Sequence, residues 1–267
     1  MVELSDELFL LRKQLFHMRG SLGASPDASI VIPVNAQKDL TNISRVLSDL
    51  GRYTGDYRIE LILVINNYPL NDLPYEIELY REMGLTVLAI PRVQHQGGVA
   101  MAARIPGIEA ARSSNIILFD ADCRIPNPTA LINWYIEKFK AGCDLAYTHV
   151  DYMELAPNLS VKARIWIHHA SRWVRRTILG IPTSRGSNYA IGRNLILDLF
   201  ARGRIPYDLH VGPVVKATGG RIAYSAAREL VVLTSGRFFA PGWKVLADYL
   251  LWRLGYYRRI LKSRKAV

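Results

Sequence analysis

Four apolar runs, separated by segments with helical spacing, constrain the fold of this chain most strongly. The runs cover residues 28–34, 58–65, 85–90 and 115–119. Continuous runs of Val, Ile and Leu of this length are typical of strands buried on both faces of a sheet. Helices are predicted between them, at residues 40–50, 72–83 and 99–112. The order βαβαβαβ therefore indicates a mostly parallel central sheet that is flanked by helices.

The second half of the chain has a less regular pattern. It predicts helices at residues 128–140, 160–179, 193–203, 208–218 and 242–262 and strands at 144–150, 220–225 and 229–234. A turn rich in Gly and Ser lies at 184–188. We therefore expect an α/β fold with a more irregular C-terminal half.

Charge is distributed unevenly along the 267 residues. The net charge of the chain is +11, with a net −3 in residues 1–150 and a net +14 in residues 151–267. Half of the residues are hydrophobic, which excludes a disordered chain. The basic half predicts an anionic partner, either a phosphorylated substrate or an acidic membrane surface. Because no nucleic-acid-binding module is recognisable, we expect no nucleic acid among the partners.

Two cysteines, Cys123 and Cys143, are too few for a disulfide framework, so a reducing compartment is expected. The sequence has no apolar run of membrane-spanning length, and its acidic start does not resemble a signal peptide. These features predict a cytoplasmic protein, either free or peripherally bound to the inner face of the membrane.

The C-terminal segment, residues 242–267, predicts a basic amphipathic helix. Residues 236–267 hold eight basic side chains and one acidic one, with Tyr and Trp among the apolar positions. Such a helix suits an anionic membrane interface. A closing helix that packs on its own domain has the same pattern, and the sequence leaves both interpretations open.

Asp120-Ala121-Asp122 is the sharpest chemical feature of the sequence. The triplet directly follows a predicted buried strand, at the edge where a parallel sheet binds its ligands. Carboxylate oxygens suit Mg²⁺ or Mn²⁺, which in turn suit diphosphate oxygens. Loop solvation or helix capping is the alternative role for such a pair of aspartates.

Several further motifs resemble those of the inverting glycosyltransferases of family 2, which have the GT-A fold. The resemblance rests on residues 29–35, 60–67, 97–111, 120–122, 186–193 and 207–224, in that order. It covers roughly residues 28–240. It implies a Rossmann-like GT-A fold and a nucleotide-diphosphate-sugar donor, with UDP as the favoured nucleotide.

The resemblance also implies roles for individual residues. Asp120 and Asp122 would bind the divalent cation, Mn²⁺ or Mg²⁺, and Asp208 would be the general base. The nucleotide-binding residues would be Pro33, Val34, Asn35, Asn66, Asn67, Arg104 and Asp120. The acceptor side would include Gly186, Ser187, Asn188 and Arg237. The acceptor itself would be a saccharide, a lipid-linked sugar or another molecule with a hydroxyl group.

The sequence departs from the family pattern in four places, which bear on the identity of the donor more than on the activity. Asn66-Asn67 replaces a common Asp-Asp pair, and Asn35 stands where an aromatic residue is frequent. Ile105 and Tyr207 replace a usual Asn and a usual Glu. Asp208 at the start of a helix also fits a simple N-terminal cap.

Taken together, the sequence predicts three segments and one leading function. Residues 1–27 would form a helical extension, residues 28–241 one catalytic domain, and residues 242–267 the basic helix. Within the domain, residues 28–123 would bind the nucleotide and residues 124–241 the acceptor. The predicted activity is metal-assisted glycosyl transfer with inversion. A degenerate binding or scaffold protein on the same fold is the first alternative, and a nucleotidyltransferase is the second.

Overall fold

The computed structural model describes residues 13, 15, 25–67, 75–91, 99–155, 158–239 and 242–263. The predicted N-terminal extension, residues 1–27, lies almost entirely outside the described residues, as do Gly97 and Gly98. Within the described part, no helix is both long and apolar enough to cross a membrane.

A seven-stranded sheet forms the centre of the molecule. Its strands are β1 (Ala28–Asn35), β2 (Ile59–Asn66), β3 (Thr86–Ala89), β4 (Asn115–Leu118), β5 (Leu145–Thr148), β7 (Tyr189–Gly192) and β8 (Ile222–Ser225), with β6 in a second sheet. The order across the sheet is β3-β2-β1-β4-β7-β5-β8. All neighbours are parallel except β7, which is antiparallel to both β4 and β5. The predicted mostly parallel sheet is confirmed.

Helices cover both faces of this sheet. They are α1 (Leu40–Gly51), α2 (Tyr75–Glu82), α3 (Val99–Ala110), α4 (Pro128–Lys140), α5 (Leu159–Trp173), α6 (Arg193–Ala201), α7 (Asp208–Ala217) and α8 (Trp243–Ser263). One apolar core joins α1, α2 and α4 to the sheet, and a second joins α3, α6 and α7 to its other face. The result is a three-layer α/β/α arrangement, which the continuous apolar strands require.

Helix α3 lies close against the sheet at Gly107. A Cβ atom at this glycine would stand 2.5 Å from a methyl carbon of Val64 and 2.7 Å from one of Val31. Only glycine allows this approach of helix to strands. The contact fixes the height of α3, and therefore of Arg104 one turn earlier, above the sheet.

The predicted strand at 144–150 is wrong as a single element. The chain forms β5 and then β6 (Val150–Met153), which pairs in parallel with β9 (Val232–Ser235) in a separate two-stranded sheet. The change occurs at His149, whose N–H donates to the carbonyl of Ser225 while its own carbonyl accepts from Val232. Strand β9 also begins three residues later than predicted, after a short 3₁₀ turn at Arg228–Leu230.

The predicted helix at 160–179 is also divided. Helix α5 ends at Trp173, and one π-helical turn follows at Val174–Ile178. Helix α8 agrees with its predicted limits. A third small core of Val161, Phe239 and Leu246 packs the start of α8 against α5.

Candidate active site

The two aspartates of the triplet lie just beyond the carboxyl end of β4. Strand β4 ends at Leu118, and a turn after Phe119 carries Asp120 and Asp122. The Asp120 side chain is 35% exposed and that of Asp122 is 25% exposed. Burial raises the pKa of Asp120 to about 6, an effect that Arg104 opposes, and burial also raises the pKa of Asp122. Both carboxylates therefore gain from a nearby cation.

Arg104 joins the triplet to the second half of the chain. Its side chain is fully buried, and its guanidinium pairs with both Asp120 and Asp208. One Nη also donates to the carbonyl oxygen of Gly186 at 3.1 Å. Burial opposes the charge of Arg104, but Asp208 and Asp120 raise its pKa above the usual value. The arginine therefore stays charged and holds two carboxylates that are 88 positions apart in sequence.

Asp208 is the first residue of α7 but does not cap it. The capping position belongs to Tyr207, which has an extended backbone and makes no side-chain capping bond. The Oδ1 atom of Asp208 instead accepts hydrogen bonds from Arg104 at 2.5 Å and from the Tyr189 hydroxyl at 3.2 Å. No described residue donates a hydrogen bond to Oδ2. One carboxylate oxygen is therefore fixed while the other remains available.

Gly186 leaves the space in which these charged groups meet. A Cβ atom here would stand 2.8 Å from Arg104 Nη2 and 2.8 Å from Asp208 Oδ2. Any side chain at this position would therefore displace the arginine or the carboxylate. The glycine, predicted for the acceptor side, lies beside the proposed base.

Two cavities meet at Asp120. The first, of about 380 Å³, is lined by Pro33, Asn35, Asp39, Asn66, Ala100, Asp120, Ala121 and Asp122. It brings together most of the residues predicted to bind the nucleotide. The side chain of Asn66 donates to the Val34 carbonyl at 3.1 Å, which orients its amide at the end of β2.

The second cavity, of about 320 Å³, contains the proposed base. It is lined by Ala100, Asp120, Tyr152, Arg185, Gly186, Ser187, Tyr207, Asp208, Leu209, Thr234 and Ser235. Asp120 and Ala100 border both cavities. A molecule that extends from one cavity into the other would therefore pass beside Asp120 and reach the cavity that contains Asp208.

Other predicted site residues lie outside these two cavities. Val34 is fully buried, and Asn67 adopts a left-handed backbone (φ 61°) directly after β2. Asn188 is 1% exposed, and its amide bonds Tyr135 and Thr148 inside the core. It therefore fixes the turn that presents Gly186 and Ser187.

Arg237 lies next to Asp122 rather than next to Asp208. Its guanidinium stands 3.3 Å from the Asp122 carboxylate and is 65% exposed. It also contacts the Ser235 hydroxyl at 2.8 Å. An exposed arginine in this position is free to move when another cation or an anionic ligand arrives.

A metal ion fits part of this site. One potential ligand atom from each of Asp120, Asp122 and Cys123 lies within 4.8 Å of the other two. The two carboxylates suit a hard divalent cation. Burial raises the pKa of the Cys123 thiol well above its usual value, and its Sγ donates to the Ser187 carbonyl at 3.5 Å. A protonated thiol is not a ligand for Mg²⁺ or Mn²⁺, so the carboxylates are the relevant pair.

Sequence reasoning missed several lining residues, among them Asp39, Tyr152 and Arg185. Asp39 accepts a hydrogen bond from the Asn35 N–H at 3.3 Å and lies at the entrance of α1. Its position as the acidic residue between a buried strand and a helix was the available signal. Tyr152 gave no local signal, because the pairing of β6 with β9 brings it to the cavity. Arg185 directly precedes Gly186 in the turn at 184–188, and this position beside the predicted acceptor-side residues was the available signal.

Comparisons with known proteins establish the fold. No protein-family model matches the chain, and no curated protein matches it. The chain is similar to the solved structure of the mannosyltransferase PcManGT from Pyrobaculum calidifontis in complex with GDP-Man and Mn²⁺, with a TM-score of 0.50 and 14% identity. The match covers 86% of this chain, which spans 64% of that one. The predicted Rossmann-like fold of the glycosyltransferase type is confirmed.

Proposed function

We propose that this protein is a metal-assisted glycosyltransferase of the family 2 type, which moves a sugar from a nucleotide diphosphate to an acceptor hydroxyl with inversion. The nucleotide would occupy the cavity beside Asn35 and Asn66, and the acceptor the cavity beside Asp208. The observation that carries the proposal is the buried guanidinium of Arg104. It holds Asp120, on the wall between the cavities, and Asp208, in the acceptor cavity.

The arrangement supports a single displacement at the sugar. The acceptor oxygen forms a bond to the anomeric carbon while the bond from that carbon to the diphosphate oxygen breaks. The hydroxyl proton passes to Oδ2 of Asp208, the oxygen with no hydrogen bond from a described residue. A positioned base of this kind typically contributes about 10²–10⁴-fold to a rate. Attack from the face opposite the leaving group gives inversion.

Asp120 and Asp122 would hold the divalent cation. When bound, the cation supplies Lewis-acid neutralisation of the charge on the departing diphosphate. Arg104 remains a fixed positive charge beside Asp120 and keeps its carboxylate ionised and oriented. Arg237 would leave Asp122 as the carboxylate takes up its new partner.

Two nucleotide bases, uracil and guanine, are candidates for the donor. The family resemblance favours UDP, whereas the structural neighbour was solved with GDP-Man. Asn35 and Asn66, which line this cavity, offer amides that both donate and accept hydrogen bonds and therefore suit either base. We propose UDP-linked and GDP-linked sugars as the two donor classes to compare.

A panel of nucleotide sugars tests the proposed function. The full chain is incubated with UDP- and GDP-linked sugars with Mn²⁺ or Mg²⁺, and nucleotide release and thermal shift are measured. We expect at least one donor to raise the melting temperature in the presence of metal and to release nucleotide slowly even without acceptor. If no donor binds or is hydrolysed with either metal, the proposed function is wrong.

A binding or scaffold protein on the same fold is the second candidate. Asp120 and Asp122 each already pair with an arginine, Arg104 and Arg237, as expected for carboxylates that bind no metal. Titration with Mn²⁺, followed by electron paramagnetic resonance of the free ion, separates the two functions. Binding that is lost in Asp122→Asn supports the transferase, and its absence in the unmodified chain supports the scaffold.

We further propose that the protein binds an anionic membrane surface, peripherally and on the cytoplasmic side. Apart from Tyr207, every large apolar side chain that the described residues expose lies on α5, in or just after its π-helical turn, or on α8. Trp166 is 71% exposed, Trp173 52% and Leu251 66%. Helices α5 and α8 pack together through the Val161–Leu246 core. Tryptophan next to basic residues is typical of a membrane interface.

A further inference from the structure

Two arginines at the acceptor cavity, Arg185 and Arg172, are not used by the proposed reaction. Arg172, on α5, is 3% exposed, and Arg185 lines the cavity with Asp208. Neither forms an ion pair with any carboxylate in the described part of the chain. Positive charge that is buried without a carboxylate is costly, often by several kcal/mol per ion. The fold must therefore gain elsewhere from keeping it.

Arg172 is the clearest case of a buried positive charge whose hydrogen-bond donors are not all satisfied. Its Nη1 donates to the Val150 carbonyl at 3.1 Å, whereas its buried Nε and Nη2 have no hydrogen-bond partner. Burial, and next the positive charge of Arg185, lower the pKa of Arg172 to about 10. The side chain thus remains charged at neutral pH, with two donors unused.

His168 lies in the same group and is fully buried. Burial, and next Arg185 and Arg172, lower the pKa of His168 far below its usual value, so the ring is neutral. Neither ring nitrogen has a hydrogen-bond partner. The ring centroid is 5.9 Å from that of Tyr152, which lines the acceptor cavity. The neutral His168 ring therefore provides one further buried N–H donor, next to the Tyr152 side chain that lines the cavity.

Arg185 connects this group to the reaction site. Its guanidinium bonds the Tyr152 hydroxyl and lies 5.6 Å from the centre of that ring. Its charge also acts on Asp120. A group that reaches Arg185 in the cavity is therefore within the same space as the hydroxyl that Asp208 would deprotonate.

We propose that Arg185, with Arg172 and His168 behind it, forms a phosphate-binding site in the acceptor cavity, and that the acceptor carries a phosphate group. Guanidinium groups bind phosphate oxygens through charge-assisted hydrogen bonds. The phosphate neutralises the buried positive charge and fixes the acceptor hydroxyl beside Asp208. That the phosphate belongs to an acceptor rests on the proposed function, whereas the phosphate site itself does not.

Binding of inorganic phosphate to the full chain tests the site directly. The melting temperature is followed against phosphate concentration at constant ionic strength, without nucleotide sugar. We expect a saturable rise that chloride does not produce. In Arg185→Gln the apparent affinity falls about tenfold or more, since a hydrogen bond to a charged group is worth at least that factor. Arg221→Gln, which removes an exposed charge directly before β8, keeps the affinity unchanged.

Arg172→Met separates a ligand site from a structural role. An apolar side chain of similar length removes an uncompensated buried charge, so the phosphate-free protein melts at or above the original temperature and phosphate no longer stabilises it. A lower melting temperature with an intact phosphate response overturns the role of Arg172. If this variant does not fold, Arg185→Gln decides alone.

Saturating nucleoside diphosphate with Mn²⁺ distinguishes the two sources of phosphate. We expect inorganic phosphate to bind equally well when the donor cavity is filled. Competition would assign the arginines to the donor diphosphate and overturn the proposal, as would the absence of a saturable response. Asp208→Asn keeps phosphate binding in our account, so a failure of glycosyl transfer and a failure of the phosphate site are observed separately.

Discussion

Arg104 determines how the two acidic parts of the site face each other. A single buried guanidinium contacts Asp120 after β4 and Asp208 at the start of α7, and it also contacts the backbone at Gly186. The sequence predicted Arg104 near the nucleotide and Asp208 as the base. It did not predict their contact, because residues 104 and 208 meet only after α3 and α7 pack on the same face of the sheet.

Removal of the Arg104 charge is expected to destabilise the fold. Arg104→Met leaves two carboxylates without their cation, and we expect a loss of about 3 kcal/mol in the free energy of unfolding by urea. The loss should be smaller when Asp208→Asn is also present, since one uncompensated charge has then been removed. Arg202→Met, at the exposed pair with Asp198, should change stability by less than about 0.5 kcal/mol. Equal stability of Arg104→Met and the unmodified chain would contradict the buried pairing.

Individual residues differ in how well the sequence predicted their role. Asp120 and Asp122 follow a buried strand, so their place at the carboxyl edge follows from the pattern alone. Tyr152 has no such local signal, because its place depends on the pairing of β6 with β9. Asn188 shows the reverse case, since a motif marked it for the site while its amide is used inside the core.

The elements of the first half could be predicted and those of the second half only in part. Strands β1, β2 and β4 are apolar runs that are buried on both faces, and the edge strand β3 has the same apolar pattern, so these four runs have one interpretation. The run at 144–150 has the same apolar pattern but contributes strands to two sheets. The division occurs at His149, whose N–H bonds Ser225 of β8 and whose carbonyl bonds Val232 of β9. Long-range pairing of this kind leaves no periodic trace in the sequence.

The junction between β5 and β6 also makes stability depend on pH. Burial, and next Arg172, lower the pKa of His149 to about 4, against about 6.5 in an unfolded chain. Between these values the unfolded state binds the proton that the folded state refuses, so stability falls as the pH decreases from 6.5 to 4. We expect His149→Phe to lose this contribution, about 2 kcal/mol for a partly buried ring.

The difference in stability between the unmodified chain and His149→Phe isolates the contribution of the histidine. Asp120, with a raised pKa of about 6, contributes a slope of opposite sign to both of them, so it cancels in the difference. Urea denaturation at pH 4, 5, 6 and 7 measures that difference. A constant difference across this range would contradict a neutral, buried His149.

At the scale of the whole molecule, some of the positively charged side chains are buried and others lie on the surface. Residues 151–267 carry a net +14, which at first indicates a uniformly basic surface. Arg164, Arg172, Arg175 and Arg253 of this half are nevertheless buried. Part of the positive charge is therefore buried inside the molecule, and only the remainder is available to a membrane.

Membrane binding should depend on the exposed tryptophans of α5 as well as on α8. Trp166→Ser with Trp173→Ser removes two exposed rings without opening a core, whereas deletion of residues 243–267 would uncover Val161 and Phe239. We expect the double variant to float with vesicles of anionic phosphatidylglycerol about tenfold less than the unmodified chain. Vesicles of neutral phosphatidylcholine serve as the control. Equal flotation of both proteins with anionic vesicles would contradict a membrane role for α5.

The proposed reaction depends most directly on Asp208, which would accept the proton of the acceptor hydroxyl. Its most direct test is Asp208→Asn, compared with Asp198→Asn on the exposed face of α6, with donor affinity and nucleotide release both measured in Mn²⁺. We expect Asp208→Asn to bind the donor normally and to lose about 10²–10⁴-fold in turnover, as loss of a general base predicts. Asp198→Asn should keep full activity. Full turnover in Asp208→Asn would contradict the account.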